Sequence, residues 1–236
     1  ARTLVRQAVA RLGLRGRHFP KPDVLLSLFS LAANTDGLVE PLAQERFAES
    51  EVPVADVMRV YAAYVERKRA LHAMDFDDLL VNGLRLFRER PDLLAPYQER
   101  FLHVLVDEYQ DTNGIQAEWV DLVAARHRNL LVVGDDFQSI YGWRGANFRN
   151  ILDFPRRYPD AQVFKLEANY RSLPGILDVA NACIAGNPEQ FQKTLHAIRA
   201  GSVRPVVARL SDGDGQARYV ASLLARLARR GMRMSD

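Results

Sequence analysis

A chain of 236 residues, 48% of them apolar, suits one large domain or two small ones and can bury a sizeable core. The single cysteine, Cys183, excludes an intrachain disulfide framework and points to a reduced, intracellular setting. No apolar run approaches the ~20 residues that span a bilayer, and a net charge of +3 argues for nucleic acid only if a local patch holds it.

The first hundred residues read as helices. Ala1 to Arg6 carries basic residues with no signal-peptide apolar stretch behind them. With no initiator methionine, the chain opens inside a helical pattern, which suggests an upstream part. After Pro22, Val24, Leu25, Leu28 and Leu31 recur at helical spacing, and that helix should end near Asn34 to Gly37. Val57, Val60, Tyr61, Tyr64 and Val65 mark a longer helix, and Leu79, Leu80, Leu84 and Phe87 another. The pattern then changes. Short apolar runs at 101–106, 130–133, 163–166 and 206–210 read as strands, with helical patterns at 115–125, 176–184 and 217–227. Strands alternating with helices predict a parallel α/β sheet. The polar stretch from Gly186 to Gly201 reads as a linker or mobile segment, and His103 as a satisfied core histidine.

Three strings carry chemistry. In Leu105-Val106-Asp107-Glu108-Tyr109-Gln110-Asp111, a buried parallel strand runs into acids at the sheet rim, where α/β proteins bind ligands. One acid there can hold magnesium and the next can deprotonate a water. The bland alternative, acids that cap a strand, loses ground because Gln110, Asp111 and Gln116 come after them. In the string from Val133 to Gly145, Gln138 can sense a phosphate by hydrogen bonding. Tyr141 and Trp143, two apart, would face one way on an extended backbone, with Gly142 and Gly145 leaving room beside them. Such rings can stack the bases of single-stranded nucleic acid, and Arg144 adds a phosphate contact. The competing reading places the rings in the core. In the third string, Leu166 to Ser172, Tyr170 can stack a nucleobase and Arg171 can offer a planar, permanently charged guanidinium to a phosphate. Alone, that pair would read as a surface salt bridge. A phosphate-cradling loop needs glycine followed by Lys-Ser or Lys-Thr. The four lysines follow Pro20, Arg67, Phe164 and Gln192, so these residues hold no such loop, and no Cys/His cluster has zinc spacing.

Together the strings resemble the UvrD/Rep family of superfamily I DNA helicases. Asp107 to Gln116 (DEYQDTNGIQ) resembles its Walker B motif, Gly134 to Ala146 (GDDFQSIYGWRGA) the next motif, and Leu166 to Ser172 (LEANYRS) the one after. Met74 to Leu80 resembles the return of the chain to the motor domain, and Pro205 to Leu227 the opening of the second motor domain. The likeness covers residues 70–230 well and the first part more weakly. Phe137 stands where the family usually has an acid, and Ala168 where glutamine is common.

The resemblance implies a RecA-like P-loop NTPase fold, a parallel sheet flanked by helices with a helical inserted domain. Residues 1–72 would be part of that insert, 73–158 the returning half of the first motor domain, and 159–236 the start of the second. ATP and Mg2+ would be the cofactors, and single-stranded DNA and single/double-strand junctions the partners, with no membrane. Asp107 would hold the metal and Glu108 would be the catalytic base. Gln138 would couple the phosphate to DNA, Tyr141, Trp143 and Arg144 would touch DNA, Tyr170 would stack on adenine, and Arg171 would be the arginine finger. The Walker A loop and adenine-binding glutamine would lie upstream of Ala1, and the last helicase motifs beyond Asp236. The implied activity is ATP-driven 3′–5′ translocation and unwinding by the complete protein, with the fragment inactive alone. The alternatives are a non-catalytic DNA-binding module and the helicase part of a helicase–nuclease.

Overall fold

The computed structural model describes residues 1–14, 16, 19–35 and 37–233. The chain forms two compact units, Ala1–Phe164 with Glu189–Phe191, and Lys165–Pro188 with Gln192–Asp236. Among the described residues no helix is long and apolar enough to cross a membrane.

The first unit opens with four helices, α1 (Arg2–Arg11), α2 (Pro22–Asn34), α3 (Val39–Arg46) and α4 (Val54–Ala70). Pro22 starts α2 because its fixed φ suits the first turn and its missing N–H would have had no helical partner there. The apolar stripes read from the sequence turn inward. Leu25, Leu28 and Phe29 of α2 meet Val57, Val60 and Tyr64 of α4, with Val5 and Val9 of α1 and Ala43 of α3 completing the core. Val24, Leu31 and Tyr61 lie only half-buried at its margin.

Helix α5 (Phe76–Glu89) begins at a capping box in which the Asp75 carboxylate accepts the Asp78 N–H and the Asp78 carboxylate accepts the Asp75 N–H. Asp75 also accepts the Tyr64 hydroxyl at 2.5 Å and the Lys68 ammonium at 2.7 Å, tying α4 to α5. Burial alone would raise the Asp75 pKa, but hydrogen bonds from Lys68, Tyr64 and the Asp78 N–H outweigh it and hold the carboxyl at about 2. The same cluster drives the Tyr64 phenol upward, first through burial and then through the Asp75 hydrogen bond. Helices α6 (Pro91–Arg100) and α7 (Gly114–Ala124) close a second cluster around Phe87, Leu94 and Val123. The α5 stripe is narrower than expected, because Leu84 and Phe87 are buried while Leu79 is exposed.

Strands β1 (Val104–Val106) and β2 (Leu130–Val132) pair in parallel, Val104 opposite Leu130 and Val106 opposite Val132. The expected burial of this strand on both faces is not met. Val104, Val106, Leu130 and Val132 pack inward, whereas Leu105 and Leu131, paired in register, are exposed. A strand alternates sides, so a two-stranded sheet covered on one face leaves every second residue outside. His103 is exposed rather than core, because the strand starts only at Val104 and the preceding apolar run does not join it.

In the second unit, β3 (Ala168–Asn169) and β4 (His196–Ala197) form a short parallel pair. The stretch read as a linker therefore supplies a strand. Helix α8 (Pro174–Ile184) buries Leu177, and Asp212 caps α9 (Gly213–Arg229) by accepting the Gly215 N–H at 2.7 Å. The runs at 163–166 and 206–210 are not strands, and Phe164, Leu166, Val206 and Val207 are largely exposed. An apolar run becomes a strand only when a neighbour takes its backbone N–H and C=O groups, and these runs have no such neighbour among the described residues. Among the described residues each unit is thus mixed, with helices and one small two-stranded parallel sheet.

Candidate nucleotide and DNA site

Each strand of the first sheet delivers one chemical string at its carboxyl end, so parallel pairing brings two of the three strings side by side. After Val106, Asp107 and Glu108 are exposed, and the Asp107 carboxylate accepts the Glu108 N–H at 2.9 Å. Glu108 sits at φ 51°, in the left-handed region that side chains normally avoid. Tyr109 holds the turn in that conformation. Its N–H donates to Val133 C=O, and its ring is fully buried, edge-on to Phe154. Its hydroxyl accepts from the Arg157 guanidinium at 2.7 Å. Burial pushes the Tyr109 phenol up, with Arg157 opposing the shift. The chain therefore dives into the core one residue after the acids, which leaves both carboxylates at the rim. Gln116 has a structural role, as it completes the capping box of Asn113 at the start of α7.

Beyond β2, Gly134 is required by close approach. A Cβ there would lie 2.5 Å from the Gln110 side-chain oxygen and 2.7 Å from Ile151. The Asp135 carboxylate then accepts the Phe137 N–H at 3.1 Å and the Gln138 side-chain amide at 2.7 Å, so Gln138 stands exposed at the same rim. Asp136 is buried, its carboxylate accepting the Phe191 N–H at 2.9 Å.

The aromatic string is not extended. Gly142–Arg144 forms a 3-10 turn, closed by Gly145 at φ +90°. Gly145, at positive φ, makes so tight a turn possible, whereas a Cβ at Gly142 would meet only open space. A Cβ on Gly145 would press on Asn34 of α2 at 3.1 Å. Trp143 is 64% exposed and Tyr141 39%. The Arg144 guanidinium carbon lies 4.6 Å from the centre of the Trp143 ring and 5.5 Å from that of Tyr141, so the turn, rather than an extended strand, gathers the three side chains. Asn34 also accepts a hydrogen bond from the Asn113 amide at 2.6 Å and donates one to Asp77 of α5 at 2.8 Å. The helical part thus supports both the acid-bearing turn and the aromatic turn.

Tyr170 and Arg171 belong to the second unit. Both are exposed, on a turn set by Asn169, whose side-chain oxygen accepts the N–H groups of Arg171 at 3.0 Å and Ser172 at 2.8 Å. The Arg171 C=O accepts from Arg199 at 2.9 Å. Sequence reasoning gave no role to Gln110, Asn34, Asn113 or Asn169. Each acts through a hydrogen bond or turn, and only a glutamine inside an acidic string or an asparagine before an aromatic–arginine pair could have hinted at them.

The chain is similar to three proteins named ATP-dependent DNA helicase PcrA. It is 39% identical to that of Leuconostoc citreum over 226 residues, covering 96% of this chain and 30% of that relative. It is 41% identical to that of Staphylococcus epidermidis (strain RP62A) and 39% identical to that of Staphylococcus aureus (strain Mu50), each over 180 residues, covering 76% of this chain and 25% of each relative. The chain therefore spans no more than about a third of the length of these relatives. The family described as UvrD/REP helicase N-terminal domain matches residues 2–159. Carrying that family's match over more than half its length, the chain belongs to the UvrD/REP helicase N-terminal domain family.

Proposed function

We propose that this chain is a section of an ATP-driven DNA helicase with RecA-like motor domains. Residues 1–72 would be part of an inserted helical domain, 73–158 the returning half of the first motor domain, and 159–236 the start of the second. The complete protein would act in the cytoplasm, moving 3′ to 5′ along single-stranded DNA and opening single/double-strand junctions. The observation that carries this reading is the placement of Asp107, Glu108 and Gln138 at the carboxyl ends of two adjacent parallel strands. That rim is where open α/β sheets bind ligands. Names of relatives at about 40% identity supply the substrate class.

Magnesium is compatible with the residues present. It takes one or two carboxylates and fills its shell with water and phosphate oxygens, so the lack of a three-residue metal cluster among the described residues is no obstacle. Asp107, exposed and with one oxygen taken by the Glu108 N–H, would hold it. When bound, the metal would neutralise phosphate charge. Glu108 would orient the attacking water and accept its proton, and Gln138 would report the state of the γ-phosphate to the aromatic turn. Tyr141, Trp143 and Arg144 would engage single-stranded DNA, Tyr170 would stack on adenine, and Arg171 would contact the γ-phosphate. Glu108→Gln in the full-length protein keeps size and shape but removes the base. It should bind ATP with magnesium and hydrolyse it at least ~100-fold more slowly in a single turnover, the lower end for a general base. Near-normal hydrolysis would remove Glu108 from the mechanism.

A further inference from the structure

Gln110 is the most deeply buried polar side chain near the rim, at 1% exposure. Its two ends have chemically distinct partners. The amide nitrogen donates to the Glu108 carboxylate at 2.8 Å, and the amide oxygen accepts the Asp135 N–H at 2.9 Å. A carboxylate demands a donor and an N–H demands an acceptor, so the orientation of the amide is fixed by chemistry. Gly134 leaves no slack, since even a Cβ there would collide with the Gln110 oxygen. Asp135 in turn holds the Gln138 amide through its carboxylate. A continuous hydrogen-bonded path therefore runs from Glu108 through Gln110 and Asp135 to Gln138, three residues before the aromatic turn. Asparagine would be too short to span both partners. Methionine would fill the space but offer neither the donor nor the acceptor, and glutamate would set a second carboxylate against that of Glu108.

We infer that Gln110 is a positioning residue for ATP hydrolysis: it fixes the Glu108 carboxylate and ties it to the Gln138 turn. The inference rests on the reading of Glu108 as the base. A carboxylate freed from this hold would spend less time aligned with the attacking water, and small misplacements of catalytic groups are costly. In the full-length protein, Gln110→Met should lower the DNA-stimulated kcat about tenfold or more, leaving KM for ATP and Kd for a single-stranded oligonucleotide within about twofold. The decisive readout is a double-mutant cycle measured by single-turnover hydrolysis. In the Glu108→Gln background, adding Gln110→Met should change the rate by less than about twofold, because the group it positions is already disabled. A merely structural role would slow both backgrounds equally. Should Gln110→Met fail to fold, Gln110→Asn, neutral but too short to span both partners, carries the same expectations. Unchanged kcat in the folded variant, or equal losses in both backgrounds, overturns the inference while Glu108→Gln remains slow. If Glu108→Gln itself hydrolyses normally, the reading of the site fails and this inference falls with it.

Discussion

Replacing Trp143 with alanine separates a DNA-stacking ring from a core ring. Trp143 is 64% exposed, so about a third of its surface is covered, part of it by the solvated Arg144 guanidinium. A third of roughly 250 Å² at about 25 cal/mol per Å² sets an upper limit near 2 kcal/mol. The true loss should be about 1–1.5 kcal/mol, since area-based figures overestimate burial by roughly 10–40% and removal opens no closed cavity. A core tryptophan would cost about 3–5 kcal/mol. Affinity for DNA should behave the other way, because one stacked base is worth about 1–3 kcal/mol, or roughly 5- to 150-fold in Kd. Binding of a labelled oligonucleotide and thermal unfolding, both on full-length protein at one fixed salt concentration, read the two quantities. Salt must be fixed because phosphate contacts such as that proposed for Arg144 weaken steeply with it. A large fall in melting temperature with unchanged affinity of the folded protein would return Trp143 to the core.

Arg171→Ala in the full-length protein should slow ATP hydrolysis by roughly a thousandfold or more, the range for arginine fingers, with nucleotide-free DNA binding little changed. Loss of DNA binding with hydrolysis intact would instead make Arg171 a DNA contact. The 236-residue chain alone, which has no Gly-Lys-Ser/Thr loop, should release no phosphate with or without single-stranded DNA; turnover abolished by Glu108→Ala would contradict this. Asp75, held at about 2 against an ordinary 3.8, has a depressed pKa, so its contribution is present above about pH 4 and is lost as pH falls through about 2. Asp75→Asn should therefore cost about 2 kcal/mol at pH 7 and progressively less below pH 4, read from denaturant midpoints across pH. A pH-independent difference would show that the carboxylate charge is not what ties α4 to α5.

Signals in the sequence are legible where local physics decides the outcome. Pro22 and the stripe of Leu25 and Leu28 mark α2, and the apolar runs ending at Asp107 and Gly134 mark the two strands that carry the acids and the Gln138 turn. The runs at 163–166 and 206–210 are also apolar but have no neighbouring strand among the described residues, and strand formation depends on that distant partner. The Tyr141–Trp143 spacing misleads because alternation holds only on an extended backbone, whereas Gly145, at positive φ, closes a tight turn here. Contacts that bridge long gaps leave no local trace, as with Asn34 and Asn113, 79 residues apart, or Gln110 and Asp135, 25 apart.

The most direct test of an ATP-driven motor is unwinding of a labelled duplex bearing a single-stranded tail, by the full-length protein, with the tail placed on either the 3′ or the 5′ side. ATP-dependent strand separation is expected of the 3′-tailed duplex, with little of the 5′-tailed one and none with Glu108→Gln. Unwinding that persists in Glu108→Gln, or strand separation without ATP, would contradict an ATP-driven motor.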